Sequence, residues 1–392
     1  MNRSIRCVAL LAVVASFCST CIAEDKLPTV RFATFNVSLN RKSEGQLADD
    51  LARSNSQAIK VAEIIQRVRP DVILLNEFDY DERGKSVSQF VTHYLGVGQG
   101  QQQPIEYAYQ FSAPVNTGVP SGRDLNNDGK LNGPADAWGY GVFPGQYGMV
   151  VLSRFPFDEK NVRTFQKFLW KDMPNADRPI DPTSKVSFYS DEDWQQLRLS
   201  SKSHWDLPIR TDRGLIHFLV SHPTPPAFDG PEDRNGCRNH DEIRLWADYV
   251  TPSKSGYIYD DKGRRGGLRT DASFVIAGDL NADPKDGASR NNAIRQLLAS
   301  PRVRDRQPKN PTGRLQSEQD ARVNLKHTGN PEFDTANFSD RVAGNLRVDY
   351  VLPSANLPMG GNAGIFWPDK GEPGSELVGC SDHRLVWIDI SD

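Results

Sequence analysis

Side chains suited to acid, base or metal chemistry stand at the ends of strand-like segments in this 392-residue sequence. They are Asn36, Glu77, His222, Asp279, Asn281, Asp349, Asp382 and His383. Hard divalent cations prefer carboxylate and amide oxygens, and histidines and carboxylates transfer protons in catalysis. A single Asn or His at a strand end is more often a turn, cap or core residue. The GDLNADP motif at 278–284 and the SDH motif at 381–383 are more specific.

Apolar runs predict the strands that position these side chains. We predict strands at 30–36, 72–75, 149–152, 215–220, 274–277, 348–352 and 385–390, and helices within 44–69, at 241–250 with a cap near Asn239, and at 293–299. Short continuous apolar runs are typical of strands buried on both faces. In layered α/β folds, sites gather where strand ends meet loops, so we expect the polar side chains to converge.

In this order, the motifs resemble those of the endonuclease/exonuclease/phosphatase superfamily, which includes DNase I-like nucleases, sphingomyelinases and inositol-phosphate phosphatases. The resemblance extends from Phe35 to Arg384. It implies an α/β fold, a four-layer α/β sandwich in which two mixed β-sheets are flanked by helices and carry long loop insertions. It also implies hydrolysis of a phosphate mono- or diester with the help of Mg²⁺ or Mn²⁺.

The resemblance assigns roles in the metal half of the site. Glu77 is the first-choice metal ligand, Asn36 stands beside it, and Asp382 is a further candidate ligand. Asp279 would orient or deprotonate the attacking water, and Asn281 would hold a phosphoryl oxygen. These types fit because catalysis of phosphate-ester hydrolysis depends on positioning and charge neutralisation.

The resemblance also assigns the histidine half. His383, oriented by Asp382, would act as a base or as a cation facing the phosphate. His222 would contact the phosphate or assist protonation of the leaving group, and Asp349 would support this half through a second metal or directly. The identity of the general base and the number of metals stay open.

An acidic stretch at 77–82 bears on the substrate. DNase-like members carry a basic residue two positions after the metal-binding glutamate, where this chain has Asp79. Four acids in this stretch and a formal net charge of -3 favour a small phosphoester or a lipid head group over duplex DNA. The alternative is that these acids face solvent and carry no meaning. An extracellular nuclease and a catalytically silent binding protein on the same fold are the competing functions.

Basic residues near the predicted site are candidates for substrate recognition. They are Lys202, His204, Arg238, His240 and Arg244. His240 and Arg244 are four residues apart, so a helix would place them on one face. The alternative is that all five form ordinary salt bridges.

A loop rich in Asp and Asn matches the beginning of an EF-hand-type calcium loop. Its candidate ligands are Asp124, Asn126, Asp128, the backbone of Lys130, Asn132 and Asp136. The usual acid at position 12 is missing, and Asp136 stands one place later. We predict a structural Ca²⁺ here, and the alternative is an Asn- and Gly-rich surface turn.

The N-terminus has the pattern of a secretory signal peptide. Arg3 and Arg6 precede an apolar run at 7–17, and small residues end at Ala23. The run is too short to span a bilayer comfortably, although an anchor is the alternative. We predict removal of residues 1–23 and a secreted or periplasmic protein without a transmembrane segment.

Composition indicates a globular chain with many loops, since 38% of its residues are hydrophobic and it contains 31 glycines and 26 prolines. We predict that residues 24–392 form one monomeric catalytic domain with an insertion at about 96–146. Cys237 and Cys380 remain after cleavage. An oxidising compartment favours a disulfide between them, which would join the loops of His222 and His383; two separate buried thiols are the alternative.

Overall fold

Two β-sheets form the centre of the protein in this computed structural model, which describes residues 27–392. The strands are β1 Val30–Leu39, β2 Val72–Phe78, β3 Tyr109–Phe111, β4 Met149–Ser153, β5 Arg163–Thr164, β6 His204–Thr211, β7 Gly214–Ser221, β8 Ser273–Asp279, β9 Ala336–Asn337, β10 Asn345–Leu346, β11 Asp349–Pro353, β12 Ala363–Ile365 and β13 Val386–Ile390. The first sheet has the order β12-β13-β1-β2-β4-β3, and the second has the order β11-β8-β7-β6-β5. Strands β9 and β10 form a separate ribbon.

Both sheets are mixed. The pairs β1–β2 and β7–β8 are parallel, and the remaining pairs are antiparallel. The α-helices are α1 Gln46–Leu51, α2 Ser56–Val68, α3 Lys85–Phe90, α4 Asp191–Trp194, α5 Arg234–Tyr249, α6 Arg295–Leu298 and α7 Pro311–Asp320. No helix within residues 27–392 combines the length and apolarity needed to cross a bilayer.

Alternation along the strands builds the layers. Phe32 and Phe218 point inward and pack between the two sheets, with ring centroids 5.4 Å apart. Phe35 of β1 points outward into the cluster beneath α2, and Ile276 of β8 points outward into the cluster beneath α5. Successive side chains of a strand point to opposite faces, so strands buried on both sides carry apolar residues at nearly every position. The predicted four-layer α/β sandwich is confirmed.

Several predicted boundaries change. The helical region at 44–69 is two helices, because the side chain of Asn55 caps α2 by accepting a hydrogen bond from the Ala58 N–H at 2.9 Å. Helix α5 begins at Arg234, so Asn239 lies inside it and does not cap it. Its amide instead donates to the carbonyls of Thr224 and Leu280, two loops beside the site.

The predicted disulfide is wrong. Cys237 and Cys380 are both buried free thiols. Cys237 belongs to the apolar cluster under α5, whereas Cys380 belongs to the cluster under α2. The two sheets stand between these clusters, so the thiols cannot meet. Burial raises the pKa of Cys237 to about 12 and that of Cys380 to about 11, which keeps both thiols protonated and unreactive.

The structure describes the predicted insertion at 96–146 but not the predicted signal peptide. The predicted signal peptide at 1–23 lies outside the described residues. The insertion at 96–146 supplies β3, which pairs with β4 at the edge of the first sheet. Apart from a 3-10 turn at Pro134–Asp136, the rest of the insertion is loop. Asn116 within it bonds to the segment that enters β6.

Candidate active site

Strand register brings the predicted side chains to one edge of the sandwich. In the first sheet, Asn36 of β1 is opposite Asn76 of the parallel strand β2. In the second sheet, Asp279 at the end of β8 is opposite Asp349 at the start of the antiparallel strand β11. The ends of the parallel strands therefore meet the beginnings of antiparallel strands, which explains why residues far apart in sequence converge.

Asn36 joins the two sheets across the site. Its side-chain amide donates to Glu77 Oε1 at 3.1 Å and to Asp279 Oδ2 at 3.1 Å. The backbone N–H of Asp279 donates to Asn76 Oδ1 at 3.2 Å, so a second amide also crosses between the sheets. Asn36, Asn76 and Asp279 are almost fully buried, whereas Glu77 is partly exposed.

Two histidines surround Asp279. His222 Nε2 lies 3.4 Å from Asp279 Oδ2, and His383 Nε2 lies 3.6 Å from the same oxygen. The other ring nitrogen of His383 lies 2.9 Å from Asp349 Oδ2. Thr335 donates to that same carboxylate oxygen at 2.9 Å. Asp349 is thus the carboxylate that fixes the orientation of His383.

Asp382 does not have the orienting role that the sequence predicted for it. Its side chain is 51% exposed, and its Oδ1 lies 4.0 Å from His383 Nε2. Ser38 Oγ donates to that oxygen at 3.4 Å. Asp382 is nevertheless at the rim of the same cluster, where its carboxylate is free to take a ligand from solvent.

Burial and charge divide the two histidines. Burial alone would lower the pKa of His383, but Asp349 and Asp279 outweigh burial and raise this pKa well above its ordinary value. Burial, reinforced by Lys202, lowers the pKa of His222. His383 is therefore a cation at neutral pH and His222 is neutral. Burial would raise the pKa of Asp279, yet the histidines and Asn36 keep it lowered, so this carboxylate is ionised.

Two residues of the site adopt left-handed backbone conformations. Glu77 has φ 57° and Asn281 has φ 52°, and such conformations in residues other than glycine occur preferentially at functional sites. The turn at Asn281 is fixed by its N–H, which donates to Asp279 Oδ1 at 3.0 Å. The Asn281 side chain donates to the carbonyl of Pro223 at 3.1 Å, next to His222.

The donor set fits a hard divalent cation. Carboxylate oxygens of Asp279 and Asp349 lie within 4.8 Å of one another, beside the imidazole of His383. Asp349 Oδ1 is buried and has no hydrogen-bond partner among the described residues. Glu77 adds a further carboxylate, joined to Asp279 through the Asn36 side-chain NH2. The Asn36 side-chain oxygen accepts the Ser38 N–H at 3.2 Å. Mg²⁺ and Mn²⁺ prefer such oxygen donors.

Of the predicted basic residues, Lys202 is the one whose amino group is close enough to the site carboxylates to interact with them electrostatically. It is buried, and Glu77 and Asp279 are among the carboxylates that act on its pKa. The other four have polar atoms engaged elsewhere: His204 with Ser200 and the carbonyl of Glu242, Arg238 with four backbone carbonyls, His240 with Asp241, and Arg244 with Asp248.

Two of the three acids that follow Glu77 in this stretch accept hydrogen bonds from backbone groups of the fold. Asp79 is buried and accepts hydrogen bonds from the N–H groups of Arg41 at 2.7 Å and Tyr147 at 3.0 Å. Burial raises the pKa of Asp79 to about 7. Asp81 accepts from the first N–H groups of α3. The preference for a small phosphoester or a lipid head group over duplex DNA stays a prediction.

The predicted calcium loop is held by its own backbone. Asp124 accepts hydrogen bonds from the N–H groups of Asp128 and Gly129, and Asp136 accepts from those of Leu125 and Gly133. Asp128 accepts from the Lys130 N–H and from the Asn126 side chain. Calcium binding by these residues and Asn132 stays a prediction.

Three residues that support the site were not among the predicted site residues. Asn76 directly precedes Glu77. Its position opposite Asn36 follows from the pairing of β1 with β2 in the structure. Thr335 donates to Asp349 but lies in the segment 301–346, where we predicted neither a helix nor a strand. Glu242 is buried in α5 and accepts the N–H groups of Ser201 and Thr224, a role that only the fold defines.

Comparisons with known proteins identify the family and the fold. The sequence pattern of the Endonuclease/Exonuclease/phosphatase family matches residues 33–383. A structure of endonuclease/exonuclease/phosphatase from Beutenbergia cavernae DSM 12333 is similar, with a TM-score of 0.50, 16% identity, and coverage of 93% of this chain and 71% of that chain.

Two further solved structures are more distant. Sphingomyelinase C from Streptomyces griseocarneus has a TM-score of 0.48 at 14% identity, covering 93% of this chain and 99% of that one. Truncated TDP2 from Caenorhabditis elegans has a TM-score of 0.43 at 13% identity, covering 93% and 98%. No curated protein matches by sequence. The family match extends over most of the chain and includes all the converging residues, and the chain therefore belongs to the endonuclease/exonuclease/phosphatase family.

Proposed function

We propose that the protein is an exported, monomeric, divalent-metal-dependent hydrolase of a phosphate mono- or diester. The observation that carries the proposal is the double hydrogen bond of Asn36 to Glu77 and Asp279, with both histidines against Asp279. Binding proteins have no need for a carboxylate shared between a neutral and a charged imidazole. That arrangement supports an enzyme over the catalytically silent alternative.

Glu77, Asn36 and Asp382 would hold the metal, with Asp349 and Asp279 as the alternative oxygen donors. When bound, Mg²⁺ or Mn²⁺ would neutralise charge on the phosphoryl oxygens. Asp279 is ionised and weakly basic, so it is better suited to orienting a water than to deprotonating it. His222 is neutral at neutral pH and can accept the proton of that water.

His383 complements this chemistry as a fixed cation. Asp349 holds its ring, and its charge faces the site beside Asp279. An imidazolium in this position would stabilise negative charge in the transition state or protonate the leaving oxygen. Asn281 would hold a phosphoryl oxygen from the turn after β8.

The test is a panel of nucleic acids, sphingomyelin, inositol phosphates and nucleotides with Mg²⁺, Mn²⁺ or Ca²⁺. We expect one class to be hydrolysed and Glu77→Gln to lose at least ~100-fold in kcat/KM, because it removes a charged ligand at an unchanged fold. Glu82→Gln, at an exposed neighbouring acid, is the control. Metal binding without hydrolysis of any substrate would refute the proposal.

The substrate class is decided by the same panel. Because Asp79 and Asp81 are used internally, the small phosphoester or lipid head group is supported only by the net charge. Faster turnover of plasmid than of every small ester would favour the extracellular nuclease. Export is tested separately, since we expect the secreted or periplasmic protein to begin after Ala23 on N-terminal sequencing.

A further inference from the structure

Lys202 is a buried residue whose amino group has no partner among the described residues. It is 7% exposed, and its Nζ forms neither a hydrogen bond nor an ion pair within 4.0 Å there. Burial lowers the pKa of Lys202, and the carboxylates of Glu242, Glu77 and Asp279 oppose that effect. A positive charge among buried groups is stabilised by a nearby anion, so a lysine in this position is suited to binding an anionic ligand.

The backbone around Lys202 is fixed from both sides. Arg238 donates to the carbonyls of Leu199, Arg198 and Ser200 on the segment before Lys202, at 2.8, 3.0 and 3.2 Å. Asn116 belongs to the insertion, and its backbone N–H donates to the carbonyl of Lys202 at 2.9 Å. Its side chain donates to the carbonyl of Ser200 at 2.8 Å. These hydrogen bonds to backbone carbonyls fix the position of the Lys202 backbone.

One carboxylate couples Lys202 to His222. Glu242 Oε1 accepts the N–H of Ser201 at 2.6 Å, and Glu242 Oε2 accepts the N–H of Thr224 at 2.6 Å. Ser201 directly precedes Lys202, and Thr224 is two residues after His222. Strand β6 begins just after Lys202 and strand β7 ends just before His222, and the two strands pair at His204 and Ser221. Glu242 therefore sets the relative position of the lysine and the histidine.

We infer that Lys202 binds a non-bridging oxygen of the substrate's phosphoryl group and that Glu242 and Arg238 are its positioning residues. The inference rests on the proposed function. It adds to the proposed site a phosphate-binding residue that is not a metal ligand. A phosphoryl oxygen supplies the anion that the buried ammonium lacks, in a place where Glu77 and Asp279 already concentrate the reacting groups. Of the five basic residues predicted from the sequence, only Lys202 has an ammonium or guanidinium group with no partner among the described residues.

The experiment compares wild type, Lys202→Met, Lys202→Arg and the exposed control Lys167→Met. Calorimetry measures Mn²⁺ affinity, and then inorganic phosphate affinity at saturating Mn²⁺. Lys202→Met should weaken phosphate binding about 10- to 100-fold, the usual worth of a hydrogen bond to a charged group. Mn²⁺ affinity should stay equal or rise, because a nearby positive charge has been removed. Lys202→Arg should recover part of the phosphate affinity.

The outcomes separate this inference from the proposed function. Unchanged phosphate affinity in Lys202→Met overturns the inference. A parallel loss of Mn²⁺ affinity, phosphate affinity and thermal stability also overturns it, because the lysine would then be structural. If the wild type binds Mn²⁺ and phosphate but hydrolyses no member of the panel, the proposed function fails while the phosphate measurement still decides the role of Lys202.

Discussion

At the scale of single residues, the site is organised around one carboxylate, Asp279. It receives a hydrogen bond from Asn36 and lies beside both histidines. The two imidazoles differ because only His383 has a second carboxylate, Asp349, on its other nitrogen. A division into one charged and one neutral histidine follows from the number of carboxylates that each ring touches.

Asp349→Asn tests this division. Removing the carboxylate on Nδ1 removes stabilisation of the imidazolium, so the pKa of His383 should fall by about one to three units. Histidine NMR titration of the metal-free protein measures it. The resonances of His217, which pairs with Asp206 elsewhere, serve as the internal control. An unchanged His383 titration would show that Asp349 does not hold its proton.

At the scale of elements, α5 does more than cover a sheet. Its buried face packs on the second sheet. Asn239, Glu242 and Arg238 bond to the loops that carry the site residues. The sequence prediction began this helix at residue 241, whereas the helix begins at Arg234. The first turns are rich in polar residues, and in the structure neighbouring loops provide hydrogen-bond partners for several of these side chains.

Arg238→Met tests the bracing by α5. The guanidinium donates to four carbonyls, including that of Trp138 at 2.6 Å in the insertion. Leaving these buried carbonyls without a donor should lower the free energy of unfolding by about 2–4 kcal/mol. Chemical denaturation measures the change. Arg269→Met, which removes a surface pair with Asp271, should change it by less than about 0.5 kcal/mol.

At the scale of the whole molecule, the inner layer between the sheets must be intact for the site to exist. Asn36 and Asp279 belong to different sheets, so their contact depends on how the sheets pack. Phe32 and Phe218 meet across that layer. Loss of packing there would separate the two halves of the site.

Phe218→Ala should lower the free energy of unfolding by about 3–5 kcal/mol, because it opens a cavity in a fully buried layer. Phe228→Ala is the matched control, since that ring is 89% exposed and should change stability by less than about 0.5 kcal/mol. Thermal and denaturant unfolding measure both. Equal effects of the two substitutions would contradict the proposed packing.

The separation of the two thiols is also a property of the whole molecule. Alkylation of the unreduced, denatured protein followed by peptide mass spectrometry should find Cys237 and Cys380 both modified. In the native protein both should be protected, because they are buried in different outer layers. A disulfide-linked peptide pair would show that the two layers are arranged differently.

The amino-acid sequence was enough to predict seven of the strands and the polar residues at their ends, and its resemblance to the family predicted the four layers. Continuous apolar runs such as 72–75 and motifs such as GDLNADP at 278–284 are local signals that can be recognised without the fold. The contacts between distant segments became known from the three-dimensional structure. It assigned Asp349 to His383, turned Asp79 into a backbone acceptor, separated Cys237 from Cys380 and placed Lys202 at the site. Such pairings depend on which sheet edge and which layer each segment joins, and a single segment carries no record of its distant neighbours.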